Sequence, residues 1–109
     1  MAQNFRRATS NNIGTGAATT VFSPSTYDTI VGIRVANIAA TAISVGVFIN
    51  DGTNDIYICK SAPIPNGSSI EFIDSGSKIV VHNGDALKVE CDTAAGCDVW
   101  VSYVKEIST

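Results

Sequence analysis

The segment that most constrains the fold lies between residues 27 and 58, where three β-branched runs follow one another. Residues 29–35 (TIVGIRV) and 43–49 (ISVGVFI) alternate apolar side chains with polar or small ones, which is the period of a half-buried strand. The turn sequence NDGT at 50–53 then leads into residues 55–59 (DIYIC). An Asp-Gly pair between alternating apolar runs is the strongest short-range signal for a hairpin. We therefore expect residues 43–49 and 55–59 to pair antiparallel.

Alternation also predicts which side chains of these strands face the core. In the first run, Val31, Ile33 and Val35 fall on one face, opposite Asp28, Gly32 and Arg34. In the second run, the inward set is Ile43, Val45, Val47 and Ile49. Between the runs, residues 36–42 are too few for a helix between β-branched strands, so a loop or a continued strand is expected.

Further short apolar runs, separated by turn residues, continue to the end of the chain. They lie at 19–22, 69–73, 78–81, 86–91 and 98–104, with turn chemistry at 23–25, 62–67, 74–77 and 82–85. In the run 86–91, Leu87, Val89 and Cys91 are expected to face inward. About eight strands at a spacing near ten residues predict a single-domain antiparallel β-sandwich that is jelly-roll-like. The two prolines of 62–67 are expected to break regular structure where the chain passes between sheets.

The length of 109 residues corresponds to one domain. Residues 1–18 are polar and rich in small side chains, so we expect an N-terminal arm or a loosely paired edge strand there. The β-sandwich domain is then expected to span residues 19–109. The last strand is apolar on both faces around Trp100, which fits a central strand or one that packs against a neighbouring subunit.

The charge content indicates how the surface is used. Charged residues make up 16% of the chain, below the usual figure of about 25%, so we expect other copies or a partner to cover part of the surface. The net charge is −3, and Arg6 and Arg7 account for two of the seven basic residues. The remaining body is acidic and repels phosphate, which argues against nucleic-acid binding. No apolar run is long enough to span a membrane or to form a secretory signal, so the expected site of folding is a reducing cytoplasm.

The sequence offers little for catalysis, and we expect no enzyme activity, catalytic residue, cofactor or metal. The only histidine, His82, lies in a turn, without a neighbouring nucleophile to activate. Most acidic residues also lie in turns, where a carboxylate caps the backbone. Two acidic groups are possible calcium ligands: Asp51, Asn54 and Asp55 in one turn, and Asp92 with Asp98 in another. Neither has the glycine and distal glutamate of an EF-hand loop.

The three cysteines are Cys59, Cys91 and Cys97, an odd number without a CxxC pair. Metal binding by them is not expected, because none of the close spacings of a zinc site is present. Cys91 and Cys97 flank residues 92–96 and could face each other across a hairpin. A disulfide and a pair of buried free thiols are the two alternatives, and an intracellular product favours the thiols.

The large aromatic residues suggest a second function class. Tyr27, Tyr57, Tyr103 and Trp100 would form a carbohydrate-binding platform if three of them shared an exposed face. The competing interpretation is that they pack as buried cross-strand aromatics.

From residue 29 onwards, the order of these signals resembles small virion structural proteins of tailed phages, particularly phages of marine bacteria. The matching segments are the paired strands 29–37 and 43–49, the proline and glycine turn with its following strand at 62–71 (APIPNGSSIE), the KIVVHNGDALKV segment at 78–89, and the closing VWVSY at 99–103. They cover about three quarters of the chain and are structural turns and strands, without a catalytic signature.

The resemblance implies a non-enzymatic tail-associated or head-decoration protein that is present in many copies. Its partners would be itself, in rings or trimers with arms across neighbours, and other virion proteins. It would be assembled in the host cytoplasm and localised in the virion. The alternative function is a carbohydrate-binding β-sandwich module involved in host-surface recognition.

Overall fold

The computed structural model of the chain describes residues 4–24, 27–73 and 78–105, which form nine β-strands. Their bounds are β1 Asn4–Ile13, β2 Thr19–Phe22, β3 Tyr27–Asn37, β4 Ile43–Asn50, β5 Asp55–Ile64, β6 Ser69–Glu71, β7 Ile79–His82, β8 Ala86–Cys91 and β9 Cys97–Lys105. No helix in the described part of the chain is long and apolar enough to cross a membrane. The turn predicted at 74–77 lies outside the described residues.

The strands form two antiparallel sheets that pack as a β-sandwich. One sheet has the order β1-β9-β3-β6, with β7 also paired to β3, and the other has the order β2-β8-β4-β5. The chain crosses between the sheets several times, while β4–β5 and β6–β7 each stay within one sheet, and the first strand pairs with the last. The predicted all-β antiparallel sandwich is confirmed. The last strand, β9, is central between β1 and β3, one of the two placements predicted for it.

Residues 4–13 form an edge strand of the five-stranded sheet. β1 pairs with β9 from Asn4 opposite Lys105 to Ser10 opposite Val99, and pairing resumes at Ile13 opposite Cys97 after a register shift. The buried side chain of Ile13 joins the core at the end of this strand. The N-terminal segment is thus largely accounted for by pairing within its own chain.

The far edge of the same sheet is divided between two short strands. β7 pairs with the start of β3 and β6 with its end, so neither of these two strands lies beside the middle of β3. A bulge between Ile30 and Gly32 shifts the register of β3 against β9. The expectation that Val31 faces the core is therefore wrong: Ile30 is fully buried, whereas Val31 is half-buried. The predicted inward positions of Ile33 and Val35 are confirmed.

The β4–β5 hairpin forms at the predicted turn, with Asn50 opposite Asp55. The inward set of β4 is also as predicted, with Ile49 packed against the core. β5 continues to Ile64, however, so the expectation that residues 62–67 break regular structure is wrong for its first half. Pro63 is tolerated because β5 is an edge strand, where a missing N–H costs no ladder bond. The chain then crosses to the other sheet through residues 65–68, as expected.

The core lies between the two sheets and is built from β-branched side chains. Its fully buried members include Ile30, Ile33, Val35, Ile43, Val45, Val47, Ile64, Val81, Leu87, Val89 and Val101. Asn37, at the end of β3, is a buried polar residue. Its Nδ2 donates to the carbonyls of Thr41 and Ile64 at 2.9 Å, and its Oδ1 accepts from the amide of Ala39 at 2.7 Å. These three bonds tie the 38–42 loop to the end of β5.

The two ends of the sandwich differ in what they carry. At the hairpin end, the β4–β5 turn (51–54) lies beside the turn that precedes β8, since Asn50 is opposite Ala86. At the loop end, residues 14–18, 38–42, 65–68 and 92–96 come together. There the amide of Ile38 donates to the carbonyl of Gly96, and the amide of Gly96 donates to the carbonyl of Ile13, at 2.9 and 2.8 Å. The molecule is 46 Å along its longest axis.

Candidate functional site

The outer face of the five-stranded sheet carries a groove at the loop end, here called the Trp100 groove. Cys97, Val99 and Val101 of β9 are buried, so the alternate residue Trp100 points away from the core and is 51% exposed. Trp100 lies opposite Thr9 of β1 and Arg34 of β3, which place their side chains on the same face. The groove has a volume of about 480 Å³ and is lined by Arg7, Thr9, Ser10, Asn11, Arg34, Ala36, Asp98, Val99 and Trp100.

Two arginines flank the exposed indole. The guanidinium carbon of Arg7 lies 5.2 Å from the centroid of the Trp100 ring, within the range of a cation–π contact. On the other side, Nη1 of Arg34 donates to the Ser69 hydroxyl at 3.0 Å, and its Nη2 lies 3.9 Å from Oε1 of Glu71. A guanidinium has five N–H donors, so each arginine can still bind a carboxylate.

The acidic residue of the groove is engaged by the backbone. Oδ1 of Asp98 accepts a 2.9 Å hydrogen bond from the amide of Asn12. Asn12 has a positive φ of 55°, a conformation that asparagine tolerates better than most residues. This contact fixes the end of β1 beside β9, and Asp98 keeps its charge. The groove therefore combines an aromatic surface with two guanidinium groups and one carboxylate.

The hairpin end of the same outer face carries further exposed apolar side chains. Tyr27 and Val80 are 57% and 62% exposed. Thr29 lies opposite both Val80 and Val104, and Thr29 and Val104 are themselves buried. Within the described residues, no other strand covers this face. An apolar outer face on a sheet of a small protein marks a surface that a partner covers.

The acidic turn residues cap the backbone, as predicted. Oδ1 of Asp51 accepts from the amides of Asn54 and Thr53, at 2.8 and 3.0 Å, and these bonds lower the pKa of Asp51, the Asn54 bond most. The pKa of Asp92 is lowered as well, first by the amide of Ser44 and then by the Thr93 hydroxyl. Carboxylates committed in this way fix loops.

Of the two possible calcium groups, the second is not brought together. Asp92 is held by Ser44 on β4, whereas Asp98 lies in the Trp100 groove of the other sheet. Residues 4–24, 27–73 and 78–105 contain no group of three or more His, Cys, Asp or Glu side chains that could hold a metal ion. His82 is exposed, and its amide donates to Oδ2 of Asp85 at 2.8 Å, which closes the turn before β8. The expectation of no catalytic residue remains a prediction.

The cysteines at 91 and 97 are free thiols that face each other between the sheets. Both are buried, and Cys59 is a half-buried free thiol. Burial, and then the neighbouring Cys91 thiol, which is hydrogen-bonded to it, raise the pKa of Cys97 to about 12. The Sγ of Cys91 lies 2.6 Å from where a Cβ on residue 96 would stand, so only glycine fits at this position. Of the two alternatives, the buried thiols describe the structure.

The aromatic platform required by the carbohydrate hypothesis does not form. Trp100 and Tyr27 share the outer face of the five-stranded sheet, but they lie towards opposite ends of it. Tyr57 is on the other sheet against Phe48, with ring centroids 4.8 Å apart. Tyr103 points inward and packs on Phe22 at 4.1 Å. The carbohydrate hypothesis requires three of these aromatic residues on one exposed face, and the structure does not place them there.

Sequence reasoning missed Arg7 and Arg34 as members of a site. The charge pattern identifies Arg7 only as one of the basic residues of the N-terminal segment, and alternation identifies Arg34 only as a polar position of a strand. The available signal was the outward position of Trp100, which follows from the buried alternate residues of its strand. Its neighbours depend on the registers of three strands that are far apart in sequence, and no local pattern specifies them.

Comparison with known proteins gives a low-level likeness among solved structures. No family model matches the chain, and no curated protein matches it. Among solved structures, it is similar to a pentameric capsid protein isolated from metagenomic phage sequences, with 16% sequence identity and a TM-score of 0.46. The match covers 93% of this chain and 59% of that one, so the chain spans less than two thirds of the length of that capsid protein. A likeness at this level does not establish a shared function.

Proposed function

We propose that the chain is a non-enzymatic structural protein of a tailed-phage virion, a tail or head-decoration component that acts by self-assembly. The observation that carries the proposal is the outer face of the five-stranded sheet. Trp100, Tyr27 and Val80 are more than half exposed there, on a sheet whose other face is already buried in the core. Covering apolar surface of this kind is the main driving force of protein association.

The charge content supports the same proposal. Only 16% of the residues are charged, so few groups keep the surface hydrated and oppose its association with other molecules. The segments that resemble tailed-phage virion proteins also include parts of β3 and β9, two of the three strands that line the groove. In this proposal the partners are further copies, in a ring or trimer, and other virion proteins, without nucleic acid. Assembly takes place in the host cytoplasm, and the marine character of the phage belongs to the same proposal.

The test is the solution mass of the purified full chain over a wide concentration range, measured by sedimentation velocity and light scattering. We expect a defined homo-oligomer. A monomer at all concentrations would overturn self-assembly. The genes that flank the coding sequence test the virion assignment separately, because terminase, portal or tail genes are expected beside it and unrelated neighbours would count against it.

Carbohydrate binding in host-surface recognition is the second candidate, and the exposed indole of Trp100 in a groove with hydrogen-bond donors is the observation that favours it. It ranks second because Tyr27, Tyr57 and Tyr103 do not line the groove. A glycan array probed with the wild-type chain and a Trp100→Ala variant would support it if binding occurs and depends on Trp100, and the absence of any binding would dispose of it.

A further inference from the structure

The β4–β5 tip, residues 50–56, carries groups that complement those of the Trp100 groove. Asp51 and Asp55 are exposed there, and the adjacent Ile56 is 55% exposed although it is a large aliphatic residue. The tip is a knob that offers two carboxylates and an apolar side chain, with Asp55 and Ile56 on opposite faces of β5. The tip lies at the hairpin end of the sandwich and the groove towards the loop end.

The tip is held in one conformation by its own hydrogen bonds. Asn50 closes it on one side, because its Nδ2 donates to Oδ1 of Asp55 at 2.7 Å and its Oδ1 accepts from the amide of Gly52 at 2.9 Å. Gly52 has a φ of 98°, which the turn requires. A knob that is already ordered loses little conformational entropy when it binds.

We propose that the Trp100 groove of one copy binds the β4–β5 tip of a second copy of this chain. In this contact Ile56 packs on the indole of Trp100, and the carboxylates of Asp51 and Asp55 bind the guanidinium groups of Arg7 and Arg34. The inference rests on the self-assembly proposed above and specifies the surfaces that perform it. Charge complementarity selects a copy of the same acidic chain as the occupant, since it offers the carboxylates that the two arginines bind.

The positions of tip and groove determine what such a contact builds. They lie towards opposite ends of a molecule 46 Å long, so a tip does not reach the groove of its own copy. A bound pair still presents one unused tip on one copy and one unused groove on the other. The contact is therefore head-to-tail, and repeated head-to-tail contacts close into a ring or extend as a filament.

The experiment uses one variant for each half of the contact. Arg34→Glu disables the groove and leaves the tip intact, and Asp55→Ala/Ile56→Ser disables the tip and leaves the groove intact. Arg7→Glu is a second groove variant in case Arg34→Glu fails to fold, which far-UV circular dichroism will report. Lys88→Glu is the matched control, because it makes the same charge change on the other sheet.

Sedimentation velocity then distinguishes the outcomes. Each disabling variant alone is expected to weaken self-association by about tenfold or more, and Lys88→Glu to leave it unchanged. Mixed in equal amounts, a groove variant and the tip variant have one working contact between them, so they are expected to form a heterodimer that does not grow. A symmetric contact between like surfaces would not produce this pairing.

Three other results have defined meanings. Disabling variants that assemble as the wild type would overturn the head-to-tail contact and leave self-assembly standing. A wild-type chain that is monomeric throughout would overturn both. An oligomer that is unaffected by Arg34→Glu, together with Arg34-dependent binding of a uronic-acid polysaccharide, would assign the groove to an acidic sugar and overturn the proposal.

Discussion

Oε2 of Glu71 accepts a 2.6 Å hydrogen bond from the backbone amide of Ile33, at the point where β3 has neither β6 nor β7 beside it. The carbonyl of Ile33 is satisfied separately by the amide of Phe72, at 2.8 Å. A side-chain carboxylate thus replaces a ladder acceptor in the gap between two short strands. This arrangement pairs the amide of Ile33 although the edge of the sheet is divided there.

Replacing Glu71 is therefore expected to destabilise the fold through the partly buried amide of Ile33. Glu71→Ala leaves that amide without its acceptor and should lower the free energy of unfolding by about 1–2 kcal/mol. Glu71→Gln keeps a carbonyl oxygen in place and should recover at least half of the loss. Urea denaturation followed by circular dichroism measures both, and equal stabilities for the two variants would contradict the role of the acceptor.

A second prediction concerns Gly46 of β4 and Glu90 of β8, which lie opposite each other in the four-stranded sheet. A Cβ at position 46 would meet Oε2 of Glu90 at 2.6 Å and its Cγ at 2.9 Å. Gly46→Ala should displace Glu90, break its 3.2 Å hydrogen bond from the Tyr57 hydroxyl and cost about 1 kcal/mol. In a Glu90→Ala background the same change should be neutral or stabilising, because alanine suits a strand better than glycine. A cycle of the four proteins measures the coupling, and additive effects would refute it.

Thiol reactivity should separate the three cysteines. Cys97, with a pKa of about 12, is almost entirely protonated at about pH 8, and its partner Cys91 is buried beside it. Iodoacetamide is therefore expected to label the native chain at Cys59 alone, and the unfolded chain at all three positions. Mass spectrometry of digested samples locates the label, with Cys59→Ser as the control that abolishes it. Rapid native labelling of Cys97 would contradict the buried pair.

The hairpin turn should contribute to acid sensitivity. Because the pKa of Asp51 is lower in the folded chain than its ordinary value of 3.8, the folded state binds its proton less readily than the unfolded state. The resulting stabilisation is complete above the ordinary pKa and is lost as the pH falls through the folded one. Asp51→Asn keeps an oxygen that can cap the turn but does not titrate, so its stability should fall less steeply in acid. Unfolding curves between neutral pH and about pH 2 test this, and parallel acid profiles would rule it out.

The local elements of this fold are predictable because local chemistry fixes them. The Asp-Gly turn at 51 and 52 specifies a hairpin whatever surrounds it, and the alternation in β4 and β8 specifies the inward faces. Val31 was assigned to the wrong face because a bulge adds a residue without leaving a trace in the alternation. Pro63 was expected to end a strand, yet an edge strand leaves its missing N–H without consequence.

The groove was beyond sequence reasoning for a different reason. Arg7, Arg34 and Trp100 come from the start, the middle and the end of the chain, and only the registers of β1 and β3 on β9 bring them together. The acidic turns carried a clear local signal, and their capping role was predicted. A site made entirely of long-range neighbours has no such signal.

The central position of the last strand sets the order in which the molecule can fold during its synthesis. β1 and β3 both pair with β9, so neither gains that partner until the ribosome has made residues 97–105. The four strands of the other sheet are complete once β8 has emerged. We infer that this sheet forms first and that closure of the sandwich waits for β9, a step slowed by the loop entropy of joining the two ends of the chain. Until then, β1 lacks the strand with which it pairs in the folded chain.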